Sequence, residues 1–243
     1  MSHFLAGMYY FILGFKQLNK KGIRLFVLMP LVFNLLLFVG IGYLSLHYLS
    51  PLADYYIDKL PHWLSFLSNL SMIIFFLLFF LFFISTFTVF ANIFAAPFNG
   101  LLAEKVQNSL AGKQAAEISL RTMLIQSIKR QGQFIRYYLP RLFGLSLLFL
   151  IPPLHPILPV VWFFFNAWIL SMQYQDFAFD NNLIDFNQMC QRLKKSRASS
   201  LGFGIMICLQ NFVPFLNILT MPAAVIGGTL MFCNRQGSIL EHE

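Results

Sequence analysis

Two apolar stretches of this chain are each broken by proline, and the breaks restrict what it can fold into. The first runs Leu142 to Leu170 and holds Pro152, Pro153, Pro156 and Pro159. The second runs Leu201 to Cys233 and holds Pro214 and Pro222, with Asn211 and Asn217 beside the break. An unbroken apolar helix of ~20 residues crosses the ~30 Å hydrocarbon core of a bilayer. Here only about ten residues, or ~15 Å of helix, precede each break. The pattern predicts re-entrant hairpins over 142–170 and 201–233. Irregular backbone at membrane depth survives only where protein or a watery cavity shields it, so such hairpins point to a pore or a binding site.

Composition agrees with a membrane chain. Of 243 residues 58% are hydrophobic and only 11% charged, with 30 phenylalanines, whereas soluble domains carry about 25% charged residues. A single integral membrane domain is expected, since no polar stretch is long enough for a second core. The net charge of +8 does not indicate nucleic acid, because the basic residues flank apolar segments instead of clustering on a soluble face. Membrane lipids and anionic solutes are the expected partners. Cys190, Cys208 and Cys233 show no ligand spacing and the five histidines are scattered, so neither a metal nor another cofactor is expected. Met1 to Phe15 has no basic residue ahead of its apolar ones, and no signal peptide is expected. Catalytic motifs of the H-E-x-x-H or G-x-S-x-G kind are absent from the sequence, which argues against an enzyme.

The order of elements follows from periodicity and breakers. Phe4, Met8, Phe11, Ile12 and Phe15 recur at helical spacing, with Gly7 and Gly14 along the edge, predicting an interfacial amphipathic helix within 1–24. Transmembrane helices are expected over 25–47, kinked near Pro30, and over 70–94. Between them 50–69 is more polar, with Trp63 at a depth typical of interfacial aromatics. Cytosolic helices are expected over 95–141, with Gly112 as a stop signal. A short helix near Phe186 to Leu193 should divide the hairpins. If each hairpin enters and leaves on one side, 50–69 alone faces outward, and Lys59 is the one outward residue among the 17 Lys and Arg. Cationic loops stay cytosolic. This predicts an all-α integral membrane protein with two long transmembrane helices, two half-penetrating hairpins, and both termini cytosolic. The two broken stretches also repeat an order of basic segment, early glycine, prolines and apolar arm, a pairing that marks translocation sites in transporters.

Several residues carry possible chemistry. Lys20-Lys21-Gly22-Ile23-Arg24 precedes a long helix, whose start offers N–H donors and positive dipole charge. Such a turn can hold a tetrahedral oxyanion, or it can be a basic flank touching lipid headgroups. Asn211, Pro214 and Asn217 fall near the second apex, where the amides could satisfy freed backbone or line a solute path; His155 holds the equivalent place in the first. Glu104, Asp176, Asp180 and Asp185 could bind a proton, stabilise a gate, or form structural ion pairs and caps. Arg121, Lys129, Arg130, Arg136 and Arg141 form a basic series that faces headgroups or makes an electropositive vestibule.

Read together, several segments resemble the CysZ family of bacterial inner-membrane sulfate permeases. They are Gly22-Ile23-Arg24 with Leu25-Phe26-Val27 and Pro30-Leu31-Val32-Phe33-Asn34, then Ala96-Pro97-Phe98-Asn99 with Leu102-Ala103-Glu104-Lys105-Val106. Tyr174-Gln175-Asp176, Asp180-Asn181-Asn182 and Leu201-Gly202-Phe203-Gly204 follow. Val213-Pro214-Phe215-Leu216-Asn217, leading to Met221-Pro222-Ala223-Ala224-Val225-Ile226-Gly227-Gly228-Thr229, completes the set. The resemblance implies uptake of sulfate, or of sulfite or a similar oxyanion, for cysteine biosynthesis. It also implies two spanning helices with two half-penetrating hairpins, and a homo-oligomer. The family's glycine-leucine-arginine sulfate-binding turn maps to Gly22, Ile23 and Arg24, with isoleucine in place of leucine. Lys21 stands where the family often has proline. The flow is channel-like or proton-coupled. The rival class is a non-transporting membrane scaffold whose wedge-shaped hairpins bend the bilayer.

Overall fold

The computed structural model describes residues 2–57, 77, 80–81, 83, 98–109, 112, 120–213 and 217–240. Every regular element among them is helical: α1 (His3–Gln17), α2 (Arg24–Ile57), α3 (98–109), α4 (Leu120–Leu147), α5 (Leu158–Asn181), α6 (Phe186–Lys195), α7 (Arg197–Asn211) and α8 (Asn217–Leu240). Among the described residues no helix is long and apolar enough to cross a membrane. The chain forms two compact units, Leu28–Ala96 and the remainder. In the first, Phe38 meets Phe83 edge to face at 5.3 Å. The expected second transmembrane helix, 70–94, lies mostly outside the described residues; Leu77, Phe80, Leu81 and Phe83 within it are helical.

The larger unit is built on α1, α5, α7 and α8, which approach to backbone contact. A Cβ on Gly7 would overlap the Ser199 carbonyl, and one on Gly202 would overlap the Phe4 carbonyl. Gly14 meets the Ala223 carbonyl of α8 in the same way, and Gly204 of α7 meets that of Ala167 on α5. On α8, Cβ atoms at Gly227 and Gly228 would stand 2.5 Å from Tyr10 O and 2.9 Å from Tyr174 O respectively. The α7 and α8 glycines thus receive α1 and α5 as neighbours. The α1 face that docks is Gly7, Phe11 and Gly14, the glycine edge of the expected amphipathic helix. Leu5, Tyr9 and Ile12 stay exposed. Removing Cβ atoms brings two backbones closer than any aliphatic stripe permits, so the small residues decide which face is buried.

Each broken stretch loses helical structure at one place. After α4, Leu148–Leu150 and Pro152–Leu154 form 3₁₀ turns. His155 Nε2 then hydrogen-bonds the Phe149 carbonyl at 2.8 Å before α5 begins with Pro159 in its first turn. Pro140 and Pro222 do not break their helices; they lie inside α4 and α8. The second stretch turns after α7, where Phe212 N–H reaches Leu209 O and Val213 N–H reaches Gln210 O. Phe149, Leu150 and Ile157 at one turn and Leu209, Phe212 and Val213 at the other are exposed, Leu150 and Phe212 by more than three quarters (77% and 78%).

Candidate functional site

The turn between α1 and α2 is shaped by Gly22, whose φ of +91° lies where residues with a Cβ are strained. Lys20 O accepts the N–H groups of Ile23 and Arg24 at 3.0 and 3.2 Å. Those two donors are therefore already engaged. Among the described residues the N–H groups of Lys21 and Gly22 reach no backbone carbonyl. Lys20, Lys21, Gly22 and Arg24 are exposed. Ile23 is not: at 1% exposure it joins the core cluster that contains Phe11, Leu102, Ala103 and Val106.

The turn rests beside α3. Lys105 Cε would lie 3.6 Å from a Cβ on Gly22, so an exposed lysine from a distant part of the chain joins Lys21 and Arg24 around the turn. Periodicity could not reveal this, because nothing local links Lys105 to Gly22. Helix α3 is itself fastened at several points. Gln107 and Asn182 exchange amide hydrogen bonds at 3.0 and 2.9 Å, and Asn181 Nδ2 donates to Gly100 O at 2.7 Å. Asn99 Nδ2 donates to Met221 Sδ at 3.3 Å. Glu104 is half-buried on α3.

The other sequence candidates are dispersed. Asn211 is exposed at the end of α7, Asn217 opens α8, and Pro214 lies outside the described residues. Asp176 is in a buried cluster with Arg130, which donates to its Oδ1 from Nε at 2.8 Å and from a terminal nitrogen at 2.7 Å. Arg130 also donates to Ile184 O at 2.7 Å, stands 4.0 Å from Asp180 Oδ1, and lies over the Phe186 ring. Burial raises Asp176 to about 6, outweighing the Arg130 hydrogen bond and charge that lower it. Burial likewise raises Asp180. Arg130 therefore does not belong to the outward basic series: it is 8% exposed. It shares a helix face with Phe134 and Tyr137, which pack on the second core cluster. Asp185 caps α6, accepting the Asn187 N–H at 2.8 Å.

A second, half-buried polar group was not foreseen. Arg235 donates to Gln175 Oε1 at 3.2 Å and Ser199 Oγ at 2.7 Å, tying α8 to α5 and α7. Burial lowers it to about 10, so it remains charged at neutral pH. Among the described residues no group of His, Cys, Asp and Glu is arranged to hold a metal.

The profile of the family described as "Sulfate transporter CysZ/Etoposide-induced protein 2.4" matches residues 10–222, which include the turn, α3, the first broken stretch and the second as far as Pro222. This chain belongs to that family. Its CysZ relatives cover it almost end to end. A protein named sulfate transporter CysZ from Pseudomonas syringae pv. tomato is 39% identical over 238 residues, covering 96% of this chain and 94% of the relative. The protein of the same name from Pectobacterium atrosepticum is 37% identical, covering 96% of this chain and 86% of its own length. That from Vibrio atlanticus is 39% identical, covering 93% and 92%.

Proposed function

We propose that this chain carries sulfate across the bacterial inner membrane to supply cysteine biosynthesis. The carrying observation is the near full-length similarity to proteins named sulfate transporter CysZ. The turn offers suitable chemistry for capture: N–H groups at Lys21 and Gly22 that reach no backbone carbonyl among the described residues, the start of a long helix, and the side chains of Lys21, Arg24 and Lys105. A doubly charged tetrahedral oxyanion fits aimed N–H donors and a guanidinium fork. Ile23 contributes as an anchor; its side chain is turned away from solvent.

The proposed path runs along the broken stretches, with Asn211, Pro214 and Asn217 near one apex and Glu104 and Asp176 as gating candidates. The apolar turns support insertion, since exposed Leu150 and Phe212 suit hydrocarbon better than water. For α2 the complete sequence outweighs the described side chains alone. It has no charged residue between Arg24 and Asp54, and 34 helical residues extend about 51 Å, beyond the ~30 Å required. The same charge pattern supports a multi-pass arrangement with cytosolic termini. A homo-oligomer completes the wall that two short hairpins leave thin.

Radiolabelled sulfate uptake into proteoliposomes tests the proposal. Wild type should accumulate sulfate, and Arg24→Ala should need roughly tenfold to a hundredfold more to half-saturate, as expected for losing a charged hydrogen bond of about 1.5–3 kcal/mol. Absence of uptake by folded wild type would rule out transport. Unchanged Arg24→Ala kinetics would rule out only the turn.

A further inference from the structure

We infer that Ile23 is a positioning residue for the anion-binding turn, acting through α3 and making no side-chain contact with the anion. The inference rests on the proposed role of the turn and adds how that turn is held in place. Within Lys20 to Arg24, Ile23 is the buried residue, at 1% exposure between exposed neighbours. Its cluster partners Leu102, Ala103 and Val106 are on α3 and are themselves 0–1% exposed. The spacing of those three residues places them on one helical face. Lys105 on the same helix approaches Gly22, so the turn and α3 meet at adjacent residues.

The backbone makes this anchoring consequential. Ile23 N–H and Arg24 N–H share Lys20 O as acceptor. A displacement of Ile23 therefore shifts Lys20, and with it the directions of the Lys21 and Gly22 N–H groups. Helix α3 gives a firm seat because Asn181, Asn182 and Met221 hold it from the end of α5, its C-cap and α8 respectively. Preformed donors lose affinity when their supporting residues allow them to drift by about 1 Å. A buried aliphatic side chain can thus govern affinity for an ion that it never touches.

Sulfate kinetics and amide hydrogen exchange on the reconstituted full-length protein test the inference together. Ile23→Ala removes the anchor, and Leu102→Ala removes part of the seat from a different helix. Each should raise the half-saturating sulfate concentration by roughly fivefold or more, with the maximal rate per folded protein within about twofold of wild type. Ile23→Leu, which refills the space, should restore wild-type half-saturation; Ile23→Val replaces Ile23→Ala if the latter does not fold. Exchange over residues 18–26 should quicken in Ile23→Ala and Leu102→Ala, with α6 unchanged. A lower maximal rate at unchanged half-saturation, or unaltered exchange over 18–26, would overturn the positioning role. If wild type does not transport sulfate, the transport proposal fails, and the exchange data still decide whether Ile23 and α3 hold the turn.

Discussion

A methyl group at Gly227 should separate the cost of crowding from the general benefit of alanine in a helix. A Cβ there would lie 2.5 Å from Tyr10 O and 3.1 Å from Phe203 Cε2, against ordinary contact at 3.4 Å or more. The Phe203 contact, at 3.1 Å, asks its ring to give by only about 0.3 Å. The Tyr10 carbonyl cannot give on its own, because it belongs to the α1 backbone, so α1 must retreat by about 0.9 Å, the difference between 3.4 and 2.5. Overpacking of this kind costs about 1–3 kcal/mol, offset by up to about 1 kcal/mol from replacing a helical glycine. Gly132 on α4 has nothing within 4 Å, so Gly132→Ala should gain about 0.4–1 kcal/mol. At about 2–4 °C per kcal/mol for a chain of this size, the two variants should melt roughly 2–12 °C apart in matched detergent, Gly227→Ala lower. Because α1 leads into the turn, Gly227→Ala should also weaken sulfate binding. Equal melting of the two variants would refute the claim that α1 and α8 are in backbone contact at this glycine.

Other substitutions address the turn and the buried ion pair. Gly22→Ala meets only Lys105 Cε at 3.6 Å but must adopt φ +91°, a backbone penalty of about 1–2 kcal/mol; lower melting and weaker sulfate binding are expected, and wild-type behaviour in both would contradict the strained turn. Lys105→Met keeps the length of the side chain and removes its charge, so sulfate half-saturation should rise about twofold to fivefold, less at high salt, as for a surface charge; equal kinetics at low salt would exclude Lys105. Asp176 is raised from 3.8 to about 6 by burial, so the folded protein holds this proton over a range where the unfolded chain has released it. The stability contributed by this group is thus full below the unfolded value and lost as pH rises through the folded one. Asp176→Asn should flatten the decline in melting temperature between about pH 4 and pH 7, leaving the smaller part due to Asp180; an unaltered slope would show that Asp176 does not titrate there.

Features written in local chemistry were legible without tertiary structure. Four prolines within Pro152 to Pro159 remove backbone donors from one short segment, and helical structure gives way there to 3₁₀ turns. The 3–17 periodicity marked α1, because apolar spacing at 3.6 residues is a property of one helix. The Asp185 cap was visible as one of three possible roles. The ordered motifs from Gly22 to Thr229 identified the family, since their sequence and spacing need no fold to be read.

What the fold alone decided concerns contacts between segments far apart in the chain. Periodicity marked α1 as two-faced, yet backbone proximity at Gly7 and Gly14 determined that the glycine edge would be buried. Arg130 sat in a run of basic residues, and only the packing of α4 on α5 and α6 turned it inward to Asp176. Pro222 read as a breaker from the sequence, but α8 runs through it. Within the turn, the motif named Ile23 as part of a binding segment; its burial with α3 showed that it anchors while Lys105 approaches from outside the motif. Local sequence determines where a helix starts, stops or breaks, because those choices depend on a few adjacent residues. Which face is buried and which charges meet depends on whole-chain packing, where small residues allow closeness and desolvation selects the partners.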